Sequence, residues 1–264
     1  MNIKNKVIWI TGASSGIGEA LAYALAKKGA RLILSSRRRE ELERVRTSCE
    51  GKEEHIQILP LDLGQRDTLK LTTEAAIQMF GHIDILINNG GISQRSLAKD
   101  TDPEVDRRLM EVNYFGTVEL TKHLLPHFIN RKEGHYVVVT SLVGKFGTPY
   151  RSGYSASKHA LHGFFDSLRA EMYSSNIKVT IVCPGFIRTN VSVNALTEKG
   201  EKLNQMDNAQ AHGMPADVFA RKMIRAVESG KNEVYIGGRE IYGVYLKRFL
   251  PGLFARIVRK ARVR

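Results

Sequence analysis

Short apolar runs alternate with longer amphipathic stretches almost from one end of this chain to the other. Val7-Ile8-Trp9-Ile10, Arg31-Leu32-Ile33-Leu34-Ser35, Asp84-Ile85-Leu86-Ile87, His135-Tyr136-Val137-Val138-Val139 and Lys178-Val179-Thr180-Ile181-Val182 are all short and mostly apolar. That pattern predicts strands covered on both faces. His55-Ile56-Gln57-Ile58-Leu59 alternates and reads as a third strand in chain order, and Glu233-Val234-Tyr235-Ile236 as a seventh. Helix-length segments separate them. One runs from about Ser15 to Lys28 with Gly29 as its stop signal, and a highly charged one runs through about Ser48. Strands alternating with helices, joined by right-handed crossovers, predict an α/β fold: a doubly wound, mostly parallel seven-stranded sheet with helices on both faces. No repeat or linker interrupts the pattern. Residues 1–238 therefore read as one domain and 239–264 as a basic amphipathic tail.

The first strand ends in Thr11-Gly12-Ala13-Ser14-Ser15-Gly16-Ile17-Gly18, directly before the first helix. Glycines at such a bend let the backbone turn tightly and approach a ligand without a Cβ in the way. The helix N-terminus then offers free N–H groups and partial positive charge to a pyrophosphate. Gly12, Ser14, Ser15, Gly16, Ile17 and Gly18 are thus candidates for a phosphate cradle. Here the sequence resembles the short-chain dehydrogenase/reductase family, whose cofactor loop is T-G-x-x-x-G-x-G and whose fold is Rossmann-like. The resemblance extends over roughly residues 5–236.

The second strand is followed by Arg37-Arg38-Arg39. An acid near this point favours NAD by bonding the ribose hydroxyls, whereas arginine accommodates a 2′-phosphate through paired N–H bonds. Cations at a helix start also oppose its dipole, so they call for a partner. Arg37, with Arg38 behind it, points to NADP in preference to NAD, although Ser15 stands where many NADP-preferring relatives carry a basic residue. The resemblance further implies adenine contacts from Asp62-Leu63, cofactor contacts from Asn89-Gly90 in Asn88-Asn89-Gly90-Gly91, and nicotinamide contacts from Pro184, Gly185, Ile187 and Thr189.

Tyr154 and Lys158 stand four apart on a helical segment and so share one face, within about 6 Å at Cβ. An ammonium near a phenol favours the phenolate, so Lys158 is expected to lower the pKa of Tyr154. Ser141 follows the fifth strand, where a hydroxyl can hold a carbonyl or alcohol oxygen. Asn113, Ser141, Tyr154 and Lys158 match the family's catalytic tetrad. By resemblance, Tyr154 exchanges the proton, Lys158 tunes it and anchors the nicotinamide ribose, and Asn113 holds a water near the lysine. The implied activity is hydride transfer between NADP(H) and a carbonyl or secondary alcohol of moderately apolar character. The implied assembly is a homodimer or homotetramer. The alternatives are an NAD-dependent dehydrogenase and a non-catalytic dinucleotide sensor. A lid over the pocket is expected at about 189–214, with Leu196, Leu203, Met206 and Met214 as apolar lining.

Composition changes this picture in one place. Two cysteines, Cys49 and Cys183, cannot form a disulfide framework, and Cys183 reads as buried packing. The first residues leave no room for a secretory signal and no run reaches the roughly 18 apolar residues of a membrane span, so a cytoplasmic location is expected. Glu119, His123 and His127 share a helix face without a further ligand, so no metal is expected. His159 and His162 are expected at an interface or in solvent. The net charge of +13 is uneven: residues 239–264 hold eight basic residues and one acid, Glu240. There Leu246, Phe249, Leu250, Leu253, Phe254, Ile257 and Val258 recur at helical spacing, with Pro251 between two short helices. Lys247, Arg248, Arg256, Arg259, Lys260, Arg262 and Arg264 fill much of the rest. This tail is expected to cap the core or an interface, or else to contact a membrane peripherally. Without a recognition motif or stacking platform, no nucleic-acid partner is expected.

Overall fold

Alternate residues of the central strands leave the sheet in opposite directions, and both sets are apolar. Ile8, Ile10, Leu32, Leu34, Ile85 and Ile87 enter one core, while Val7, Trp9, Ile33, Leu86, Tyr136 and Val138 enter the other. Such strands can be satisfied only with helices on both sides. The computed structural model describes residues 1–261, so Arg262 and Arg264 lie outside the described residues. In chain order the elements are β1 (Val7–Thr11), α1 (Gly16–Lys27), β2 (Arg31–Ser35), α2 (Arg39–Ser48), β3 (Ile56–Ile58), α3 (Arg66–Phe80), β4 (Ile85–Asn88), α4 (Pro103–Met110), α5 (Gly116–Arg131), β5 (Gly134–Val139), α6 (Ser152–Glu171), β6 (Ile177–Pro184), β7 (Ile187–Arg188), α7 (Asn208–Ala211), β8 (Met214–Pro215), α8 (Ala216–Glu228), β9 (Glu233–Ile236), α9 (Tyr242–Phe249) and α10 (Pro251–Val258).

The main sheet has the order β3-β2-β1-β4-β5-β6-β9, and each neighbouring pair is parallel. This is the doubly wound, Rossmann-like fold expected from the pattern. Helices α1, α2 and α8 cover one face, and α3, α5 and α6 the other. The chain moves outward from β1 through β2 to β3, then returns to β4 on the far side of β1. That reversal opens a crevice at the carboxyl ends of the strands, where ligands bind in this architecture.

Two local outcomes have clear causes. The third strand is shorter than the alternation suggests, because His55 belongs to a single 3-10 turn, Glu53–His55. Pro251 separates α9 from α10 and occupies the first turn of α10, where its missing N–H costs nothing. The tail folds back onto the body: Phe254 is buried against Phe146 at 5.2 Å between ring centroids, and Lys247 Nζ lies 6.0 Å from the Phe254 ring. Among the described residues, no helix is long and apolar enough to cross a membrane.

Candidate active site

The crevice is a cleft of about 1130 Å³ that runs from the β1–α1 turn, across the ends of β4 and β5, to the C-terminal helices. At one end the turn is built for close approach. Gly12 has φ +66° and a Cβ there would lie 2.9 Å from Asn89 Nδ2 and from the Gly90 backbone. Gly16 has φ +59°, and a Cβ would meet Thr189 at 3.1 Å. No side chain caps α1, so its first N–H groups remain available at the cleft, where Ser14, Ser15, Gly16 and Ile17 form the wall. Asn89 Nδ2 donates to the carbonyls of Thr11 and Gly12 at 3.0 and 3.2 Å, and Thr11 Oγ1 accepts from Gly90 N at 2.9 Å, bracing the turn from β4. These features fit a dinucleotide pyrophosphate.

Arg37 and Arg38 are exposed at the same end, and Arg38 Nη2 donates to Ser14 Oγ at 3.3 Å, which brings its guanidinium against the cradle. Asp62, Leu63, Gly90, Pro184, Gly185, Ile187 and Thr189 also line the cleft, Thr189 against Gly16. Gly18 and Asn113, both singled out in the sequence, are not part of the wall. A Cβ on Gly18 would sit 2.2 Å from the Gly12 carbonyl oxygen, so this glycine serves helix–strand packing rather than ligand contact. Asn113 is fully buried in a π-helical turn, Glu111–Phe115. It accepts from Ile92 N at 2.8 Å and donates to Ile92 O at 2.9 Å and Ser157 Oγ at 3.0 Å. Its first partners are therefore protein groups behind the site.

Ser141, Tyr154 and Lys158 meet in the middle of the cleft, Ser141 at the end of β5 and the other two on the first turns of α6. The Ser141 hydroxyl is among the groups that favour the ionised form of the Tyr154 phenol. Lys158 Nζ donates to Val139 O at 3.0 Å and lies 5.8 Å from the centre of the Tyr154 ring. The expected acidification of the phenol by Lys158 is corrected here. Burial raises the Tyr154 pKa above the ordinary phenol value, and the charges that offset it are Arg151, then Arg95. Lys158 is not among the charges that lower that pKa in the protein without cofactor.

Burial holds the Lys158 pKa down to about 8 from 10.5. Below pH 8 the amine is charged in both folded and unfolded chains, and the folded one carries the full penalty. Between pH 8 and 10.5 only the unfolded chain holds the proton, so the penalty disappears as pH rises. The interval corresponds to about 3 kcal/mol. Lys158→Met is accordingly expected to stabilise the cofactor-free protein at pH 7 by up to about 3 kcal/mol, with the gain vanishing toward pH 10.5. Urea unfolding at the two pH values measures it; no gain at pH 7 would refute the argument.

The two arginines beside the phenol gave no sign in the sequence. Arg95 is 2% exposed, and its Nε donates to Asp207 Oδ2 at 2.6 Å while Nη1 donates to Ser93 Oγ and Gln94 O. Arg151 Nη2 stands 3.6 Å from the same Asp207 oxygen, and its guanidinium lies over Phe186 at 5.5 Å. Two buried guanidiniums thus share one carboxylate, leaving positive charge in the wall, and burial together with Arg95 brings Arg151 down to about 10. Gln94 Oε1 accepts from Gly153 N at 2.9 Å and Tyr154 N at 3.3 Å, fixing the first turn of α6.

Beyond this centre the apolar wall departs from expectation. Of the four lid residues, Leu196 lines the cleft, whereas Leu203, Met206 and Met214 do not; Tyr242, Tyr245, Leu246, Phe249, Leu250 and Ile257 of the tail line it instead. His162 is also corrected. It is buried, with Nε2 3.2 Å from Thr140 Oγ1 and Nδ1 3.5 Å from Glu233 Oε2. With Cys183 and Glu233 it forms a cluster of ligand type, but Lys145 Nζ lies 2.7 Å from the Glu233 oxygen that a cation would use. Burial pushes the Cys183 thiol up to about 12. Glu119 pairs with Arg66 and His123, and His127 Nε2 accepts from Ile83 N at 3.2 Å.

The fold and cleft define a dinucleotide-binding protein of the doubly wound class. The family model for short chain dehydrogenases matches residues 6–200, and the chain belongs to this family, the short-chain dehydrogenase/reductases, which are oxidoreductases. It is 45% identical to human dehydrogenase/reductase SDR family member 7, covering 94% of this chain and 75% of the relative. It is 42% identical to mouse dehydrogenase/reductase SDR family member 7B, covering 97% and 81%. A short chain dehydrogenase from Burkholderia cenocepacia, solved in complex with NADP, superposes with a TM-score of 0.80 at 26% identity over 98% of this chain and 99% of that one. A Burkholderia phymatum family member solved with NAD has a TM-score of 0.84 at 21% identity over 96% of each chain, a likeness of fold.

Proposed function

We propose that this protein reduces a carbonyl, or oxidises the matching secondary alcohol, with NADP(H) and a moderately apolar substrate, as a cytoplasmic homodimer or homotetramer. One observation carries the chemistry: a phenol, a hydroxyl and an amine converge at the middle of a cleft whose far end is a glycine-lined phosphate cradle. When bound, the nicotinamide supplies or accepts the hydride. Tyr154 Oη gives its proton to the carbonyl oxygen in reduction and takes one in alcohol oxidation. Ser141 Oγ holds the same oxygen. Lys158 anchors the ribose, and Asn113 holds Ile92 and Ser157 beside it. Pro184, Gly185, Ile187 and Thr189 form the nicotinamide wall, and Asp62 and Leu63 the adenine wall.

Arg37 and Arg38 support NADP over NAD, because no carboxylate takes their place after β2 and Arg38 already leans on the cradle. Arg37→Ala is expected to weaken NADPH binding by roughly ten- to a hundredfold, as a charge-assisted phosphate contact is lost, while NADH binding stays nearly constant. Fluorescence titration with both cofactors decides it, and an equal loss would remove the assigned role. Turnover is tested by NADPH oxidation across a panel of apolar ketones; absence of turnover with all of them would overturn the carbonyl reading.

A further inference from the structure

The tail helices present an apolar surface outward as well as inward. Tyr242, Tyr245 and Phe249 stand at i, i+3 and i+7 on α9, and Phe249 is 74% exposed. Leu250, Leu253 and Ile257 continue the surface across α10, each about half exposed. On α10, Phe254 and Val258 turn to the body, so the outward stripe is a second apolar face on a helix that already has one buried. Soluble surfaces rarely gather so many large exposed apolar side chains without a partner.

The charges around the stripe select the partner. Arg256 follows Leu253 by three residues on α10 and Lys260 lies just past the end of that helix; both are exposed, as are Lys247, Arg248 and Arg259. Residues 241–261 contain no acid. The nearest one, Glu240, is held inward, its Oε1 accepting from Phe186 N at 2.9 Å and Gly238 N at 3.0 Å. A twofold contact through this face would set identical basic patches against each other with no carboxylate to pair them. A helix with apolar residues outward and cations beside them instead suits an anionic lipid surface: the apolar stripe enters the acyl boundary and the cations reach the headgroups.

We propose that α9 and α10 dock this protein on an anionic membrane surface with the mouth of the cleft against the lipid. Tyr242, Tyr245, Phe249, Leu250 and Ile257 belong both to the exposed stripe and to the cleft wall, so docking places the open end of the cleft at the acyl boundary. The corollary, which rests on the carbonyl reading, is that the substrate is a lipophilic ketone or alcohol reaching Tyr154 from the bilayer without crossing water.

The test uses the full chain and phosphatidylcholine vesicles with and without phosphatidylserine, read by co-sedimentation, so it needs no turnover. Wild type is expected to bind the anionic vesicles, with binding weakened by salt, and to leave pure phosphatidylcholine largely unbound. Leu253 and the cations are not in the cleft wall, so Leu253→Ser and the double variant Arg256→Gln/Lys260→Gln keep wild-type activity on a water-soluble ketone. The first is expected to weaken vesicle binding about tenfold, the second roughly thirtyfold. Failure of wild type to sediment with anionic vesicles overturns the proposal. So does a solution dimer that Leu253→Ser dissociates, which would assign the face to a second copy, and so does Leu253→Ser binding as tightly as wild type, which would mark a mere polyanion contact. Vesicle binding without turnover on any ketone would sink the carbonyl reading and leave the docking surface standing.

Discussion

Tyr154→Phe is expected to lower kcat/KM for ketone reduction by roughly a hundred- to ten-thousandfold, the usual contribution of a positioned general acid. The substitution removes one oxygen from a partly buried ring, leaving the packing of α6 and the cofactor cradle intact, so NADPH binding and the unfolding midpoint are expected to change little. Stopped-flow NADPH oxidation and a binding titration on the same preparation separate the two. Because burial raises the phenol's pKa despite Arg151, Arg95 and Ser141, it remains protonated through neutral pH in the cofactor-free protein. The acid form is the one reduction uses. Reduction is therefore expected to be level across neutral pH and to fall as pH rises through the phenol's ionisation, while alcohol oxidation climbs over the same range. Equal activity in Tyr154→Phe and wild type would remove the proton donor from the mechanism.

The largest expected effect on stability belongs to Asp207→Asn. Asp207 is 3% exposed and balances Arg95 and Arg151 together. Neutralising it leaves two guanidiniums facing each other out of water, and breaking a buried pair in this way costs about 3–5 kcal/mol. That is a large share of the roughly 5–15 kcal/mol by which a domain is stable. It translates to a fall in Tm on the order of 10 °C. The matched control is Asp217→Asn. Asp217 is exposed and pairs with Arg221 at 2.9 Å, and surface pairs contribute about 1 kcal/mol or less. Calorimetry of the two variants compares a buried carboxylate with an exposed one in the same fold. A similar small shift in both would mean that the arginines find other partners when Asp207 is neutral.

These two sites also differ in how they can be read. Tyr154 and Lys158 are visible because a spacing of four on a helix is a local relation, and Ser141 because a strand end is local too. The cradle is visible for the same reason: Gly12 and Gly16 adopt positive φ within a single turn. Asp207, Arg95 and Arg151 come from three separate segments, and nothing near any one of them in the chain announces the other two. Gly18 and Asn113 belong to the motifs, yet their places behind the wall follow from α1 pressing on β1 and from the π-helical turn after α4. His162 carries no sequence mark of burial, being one polar position on an amphipathic helix whose depth is set by β6 and β9. For the tail, residue spacing foretold two helices broken at Pro251, but not the direction in which they fold back.

The chain alone thus determined the alternation of strand and helix, the phosphate turn and the one-face pairing of phenol and amine, because each depends on dihedral preferences and side-chain periods within a few residues. Tertiary structure decided which charges surround the phenol, and that burial outweighs them. It also decided that the tail, rather than Leu203, Met206 and Met214, walls the apolar end of the cleft. Those outcomes depend on distances across the fold and on the loss of water at specific atoms, which arise only when remote segments are packed together.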